Sequence, residues 1–319
     1  MFDSTFINKL KDKYNYDEKT IKALSLIVPA LIKYYGEDYS DIILSAIFNC
    51  EIIHCNSHQT ISKVLNERKL TKSVGGSPVA DIDIKRAESV YVPNVKIIYN
   101  KENNSYEIEK IDRIIVTSHT YNYDSLKGLE ILTRAICRLI KSYNNEIVID
   151  ENTVIIRYGI AHEKRKIVYD DEITLDFIED YGKGLEEGFN LYDTEKIVSS
   201  IYSNDYKCYD YDSVYTIASI LKGTYHLQNS INECEIIGKN DELEQKYGKE
   251  NIDELCEQSD KCITLENDMI LAFTREDKNN YATSLNKLLG GSVYNTLVSI
   301  YQNSQKVKKW ICVNYTYFL

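Results

Sequence analysis

The chain has 319 residues, 43% hydrophobic and 27% charged, which suits a globular protein of one large domain or two packed ones. A formal net charge of -11, with the basic residues scattered, argues against a general nucleic-acid binder and against a surface that seeks anionic lipid. No apolar run approaches the roughly 20 residues that span a bilayer, so no membrane partner is expected.

The N-terminal part reads as helical. Across Glu18–Tyr35, the residues Ile21, Leu24, Ile27, Val28, Leu31 and Ile32 recur at helical spacing. A helix over Asp41–Ile53 is expected after Gly36-Glu37-Asp38, and a short one from Thr60 to Glu67. Ser73–Pro78 reads as a loop. Strands Val95–Tyr99 and Ser105–Ile108 flank a turn at Lys101–Asn104, and Asp112–Ser118 forms a separate short strand. A helix starts near Ser125, capped by Asp124 or Ser125, and carries on to Tyr143. Glu146–Ile149 and Thr153–Tyr158 make a second hairpin about Glu151-Asn152, extended by Lys166–Tyr169 and Glu172–Phe177. Gly182 and Gly184 precede a helix from about Leu185 to Tyr202. Helical patterns dominate from Ser213 to Lys306, including Ser284–Tyr301. The expected division is a helical N-terminal segment (1–70), a core (71–205) and a helical C-terminal lobe (206–319), or one compact unit holding all three.

Within the helix after Ser125, five positions carry the most chemical information: Arg134, Ala135, Ile136, Cys137 and Arg138. They occupy the places of an H-E-x-x-H motif, which needs two imidazoles one turn apart and a glutamate base. Forty-nine positions after Arg138, Glu187 lies in Gly184-Leu185-Glu186-Glu187-Gly188-Phe189-Asn190, similar to the segment that carries the glutamate ligand of gluzincins. The chain thus resembles a degenerate zincin of the gluzincin type, over about residues 70 to 202, and is similar to proteins of low-GC bacteria. Its richness in Lys, Asn, Ile and Tyr has the same look. The resemblance implies an α+β fold: a zincin-like small sheet over a motif helix, with a helical N-terminal segment and a mostly helical C-terminal lobe. It makes 71–205 the zincin-like core.

Arginine stays protonated and has no lone pair to give a metal, and Ala135 can activate no water. As it stands the site runs no zincin chemistry, and no cofactor is expected; zinc would be expected only if the parent site were intact. Glu187 facing Arg134 and Arg138 is then expected to replace the ion with a guanidinium–carboxylate staple. The main expectation is a non-catalytic protein, peptide-binding or regulatory, whose former cleft takes a peptide or protein partner. One alternative is a zinc peptidase whose ligands and base have been substituted in this chain. Another is an unrelated helical interaction protein, in which Ile131, Leu132, Ala135, Ile136, Leu139 and Ile140 form an apolar face and Lys127, Glu130, Arg134, Arg138 and Lys141 a polar stripe. That last reading expects Arg134 and Arg138 to be solvent-exposed and far from Glu187.

Other candidates are weaker. Cys50, His54, Cys55 and His58 form a C-x3-H-C-x2-H cluster with soft-metal donors but no familiar zinc spacing. His162-Glu163-Lys164-Arg165-Lys166 opens like a zincin motif, ends in lysine, and reads as a solvated turn. Cys137 has no histidine nearby in sequence to act as its base. His119 follows the strand before the motif helix, and His226 has no evident companion. Gly75-Gly76-Ser77 and Gly290-Gly291-Ser292 lack the surroundings of a phosphate loop. The eight cysteines make no CxxC pair and no compact disulfide framework, and the first ten residues carry no signal-peptide pattern. Reduced thiols and a cytoplasmic location are expected.

Overall fold

A computed structural model of the chain describes residues 4–68, 70, 87–145, 147–169, 173–202, 206–208, 212–224 and 226–274. The expectations at Ser73–Pro78, Gly75–Ser77, Gly290–Ser292, Ser284–Tyr301 and Cys312 lie outside these residues. The architecture is mixed α+β, with two small sheets. The chain divides into two compact units. The first takes residues 1–180, 193–208 and 232–240; the second takes 181–192, 209–231 and 241–319. The segments therefore interleave instead of following one another along the chain.

The first unit begins with α1 (Ser4–Tyr14), α2 (Glu18–Tyr35) and α3 (Ser40–Phe48), followed by strand β1 (Cys50–His54). Asp17 fixes the start of α2 by accepting the amide of Thr20 at 2.7 Å. Here the sequence expectation of one helix from 41 to 53 fails. Glu51-Ile52-Ile53 is too short a run for its period to separate helix from strand. The β-branched pair instead lies parallel to a later strand, with Cys50 opposite Arg113 and His54 opposite Thr117. Next come α4 (Ile61–Glu67), capped by Thr60, then β2 (Ser89–Asn100) and β3 (Ser105–Thr117).

β2 and β3 form one long hairpin, and the sheet order is β1-β3-β2. The break expected between 108 and 112 is a bulge: Lys96 opposes Lys110, but Ile97 opposes Ile108. The extra residue turns the strand. Near β1, Ile115 and Tyr91 face the main core, while Val116, Ile114 and Val92 face α4. At and beyond the bulge, Val95, Ile97, Tyr106 and Ile108 pack with the second sheet.

α5 (Leu126–Tyr143) lies on the inner face of the first sheet. Its Leu129, Leu132, Ile136, Leu139 and Ile140 meet Leu24, Ile27, Leu31, Ile43 and Ile47 of α2 and α3 in one apolar cluster. Ser125 caps it through the amide of Gly128 at 3.0 Å. Gly128 is required, because a Cβ there would lie 2.1 Å from the Asn122 carbonyl oxygen. The second sheet follows as β4 (Ile147–Asp150), β5 (Thr153–Tyr158), β6 (Ala161–Tyr169) and β7 (Ile173–Tyr181), in that spatial order. His162–Lys166 is therefore strand, correcting the expected turn. Arg165 is buried and ion-paired to Glu163 at 2.7 Å.

α6 (Lys183–Tyr202) contributes its first half to the second unit and its second half to the first. The second unit also holds α7 (Asp212–Ala218) with a π-helical continuation to Thr224, together with α9 (Asn240–Tyr247) from Asp241 on and α10 (Lys249–Thr274); α8 (Gln228–Ile237) enters the first unit from Asn232. Within the second unit, Asp260 of α10 accepts the amides of Gly182 and Gly184 at 2.7 and 2.6 Å, stabilising the start of α6. A Cβ at Gly184 would lie 2.2 Å from the Ser259 carbonyl oxygen, so glycine lets these two helices touch backbone to backbone. No helix among the described residues is long and apolar enough to cross a membrane.

Candidate functional site

The candidate site lies on the polar side of α5, within the first unit. At its N-terminal end, Lys127 sits between Glu88 at 3.1 Å and Glu130 at 3.0 Å. Glu130 is only 1% exposed, and its other oxygen accepts the Tyr206 hydroxyl. Tyr206 belongs to a short segment that continues with Lys207 and Cys208. Glu195, on the second half of α6, accepts the Cys208 amide and the Lys207 ammonium, both at 3.2 Å. Burial pushes the Cys208 thiol well up, helped by the Glu130 and Glu195 charges and opposed by Arg134 and Lys127. Arg134 therefore lies in the field of this cluster and is itself half-buried.

At the C-terminal end the character changes. Lys141 is 0% exposed, with Asp193 of α6 at 2.9 Å and Glu235 of α8 at 3.3 Å, both equally enclosed. Asp193 also accepts the Tyr34 hydroxyl at 2.6 Å and the Tyr35 hydroxyl at 3.3 Å. Burial, then the Asp193 charge, holds the Tyr35 phenol well above its ordinary range. Four helices thus meet on one lysine.

The sequence-predicted residues separate as follows. Arg138, like Arg134, is half-buried, so the unrelated-helix expectation of exposed arginines is not met. Ala135 is 2% exposed and belongs to the apolar cluster with Leu132 and Leu139. Glu187 is buried on the first half of α6, in the second unit. Its expected pairing with Arg134 and Arg138 is a question for substitution. Cys137 is fully buried, and burial followed by Asp193 pushes its thiol up to about 12, which makes it an inert thiol rather than a nucleophile.

The Cys50–His58 cluster is not assembled. Cys50 lies in the main core and Cys55 in the core beneath α4, because they sit on and just past a strand rather than on a helix. His58 is in an exposed turn. His54 ends β1; its Nδ1 is 3.0 Å from Thr117 Oγ1, which in turn meets the Tyr123 hydroxyl. Burial lowers the His54 pKa, Asp17 opposes this, and His119 and Lys19 add to it. His119 and His226 are exposed, and the seven cysteines among the described residues are buried and form no disulfide there. Among the described residues no three His, Cys, Asp or Glu side chains gather as a metal site.

The residues at the motif positions do not fit zinc. Two guanidinium groups offer no donor, and the position of the base is packed in apolar core. The sequence reading missed Asp193, Glu195, Tyr206 and Glu235. The carboxylates along 186–195 are the only trace of Asp193 and Glu195, and they read as well as an exposed acidic helix; no pattern in the sequence marks Tyr206 or Glu235. Comparison with family models, with curated proteins and with solved structures finds no match for the chain.

Proposed function

We propose that the chain is a non-catalytic binding or regulatory module on a metallopeptidase-like scaffold, and that its partner is a peptide or another protein. One observation carries the reading. The position that would bear the general base, Ala135, is 2% exposed within an apolar cluster, while Arg134 and Arg138 on the neighbouring face are half-buried. A base must reach water and substrate, whereas a glutamate here would enter a hydrocarbon core. This supports a helix long committed to packing over a peptidase whose residues were exchanged without other change. The lysine–carboxylate network behind it favours a rigid scaffold.

The test is the zinc content, by elemental mass spectrometry, of the unaltered chain and of the R134H/A135E/R138H variant, with hydrolysis of a fluorescent peptide mixture measured on both. Neither is expected to hold one zinc per chain or to cleave, and the variant is expected to be less stable. A variant that binds one zinc and cleaves peptides would return the chain to the peptidases. One zinc per unaltered chain would also overturn the proposal.

A further inference from the structure

The second sheet ends in β7, and among the described residues no strand pairs with its outer edge. Such an edge presents unpaired amide and carbonyl groups to any extended chain. The other edge strands offer less: β1 and β4 have only five and four residues, and β2 carries Pro93, which has no amide hydrogen. β7 runs nine residues, Ile173–Tyr181, with no proline.

Its chemistry is one-sided. Along Ile173–Tyr181 the strand carries Asp176, Glu179 and Asp180 and no Lys or Arg. Asp176, Glu179 and Asp180 are exposed on the strand itself; Glu179 meets Lys164 of β6 at 2.6 Å. Among them Ile178 stands 48% exposed, while Ile173 and Leu175 pack inward on the small core. Carboxylates on an edge commonly guard it against pairing. Charges of a single sign guard it selectively: two copies would set like charges side by side, while a basic strand would be drawn in. The exposed isoleucine offers that strand an apolar contact.

We propose that the outer edge of β7 is a docking edge for a basic, extended segment of another protein, which adds to the sheet as a further antiparallel or parallel strand. This surface is separate from the polar side of α5 and does not depend on the reading given for that helix.

The experiment uses the full chain and a fluorescein-labelled peptide of alternating lysine and valine, nine residues long, followed by fluorescence anisotropy. Micromolar binding is expected, weakening as salt is raised. The glutamate–valine counterpart should not bind. A fully N-methylated lysine–valine peptide, with equal charge but no amide hydrogens, should bind at least tenfold more weakly. The D176K/I178K variant, checked for unchanged melting, should lose at least tenfold. Equal binding of the N-methylated peptide, undiminished binding by D176K/I178K, or no binding of the basic peptide overturns the proposal. So does sedimentation that shows a dimer of the unaltered chain which D176K/I178K abolishes, since the occupant is then a second copy.

Discussion

The two ends of α5 treat charge in opposite ways. At the C-terminal end Lys141 is sealed from water with Asp193 and Glu235, and tyrosines from α2 complete the network. At the N-terminal end Glu130 is enclosed, yet the cations beside it, Lys127 and Arg134, keep part of their surface in solvent. A sealed network holds helices in place, and desolvation offsets much of what its ion pairs return. A network at the border of solvent can exchange partners. If the helix recognises a partner as proposed, the 127–138 end is the part that can respond to it and the 141 end the part that stays rigid.

Substitution at the sealed end should have the largest effect. Lys141→Ala strands two buried carboxylates and should cost about 3–5 kcal/mol in urea denaturation. A loss under about 1 kcal/mol would mean the two ends do not differ. Next comes Ala135→Glu, which places a carboxylate among leucines and isoleucines and should cost on the order of 3 kcal/mol; an unchanged midpoint would show that this face opens to water. Glu187→Ala should cost about 1–3 kcal/mol as a buried polar group is lost. An unchanged melting temperature would remove the staple expected from the sequence. Tyr206→Phe, at the bordering end, should cost about 1.5 kcal/mol by releasing Glu130.

The smallest expected effect is one of pH. Burial lowers the pKa of His54 below its ordinary 6.5, so the folded state favours the neutral ring. Its contribution to stability is therefore fully present above the unfolded value and is lost as pH falls through the folded one. His162 shifts in the same direction, also through burial. Denaturation at about pH 7.5 and about pH 5.5 should show lower stability in acid, and His54→Gln should reduce the difference. An identical difference in His54→Gln would assign it elsewhere.

How far the sequence led depended on where local rules sufficed. α2 begins at Glu18 and ends at Tyr35, as its periodicity predicts, because Asp17 caps it and Gly36 follows with φ of 116°. The β4–β5 turn at Glu151-Asn152 was equally local. β1 was not, since five residues made strand by a partner far along the chain carry no period of their own. The bulge opposite Lys96 also escaped notice, because two packing surfaces, not the strand's composition, demand it. At the candidate site, Arg134, Ala135 and Arg138 stood out in the sequence by their spacing. What surrounds them was not. α6 carries Glu186, Glu187, Asn190, Asp193 and Glu195, and all five are buried. A polar helix at the centre of a protein looks, in one dimension, like a helix at its surface.

The pairing of β1 with β3 has a kinetic consequence. Its partners, such as His54 and Thr117, lie 63 residues apart. Among the described residues β1 has no neighbour in its sheet other than β3, whereas β2 and β3 pair through a short local turn, so the hairpin is expected to close before β1 docks. Closing so long a loop brings entropy loss before any contact rewards it. Until β1 arrives, the refolding chain shows an apolar, unpaired β3 edge. Ile114-Ile115-Val116 is thus the segment most exposed to misassociation in the interval between hairpin formation and completion of the sheet.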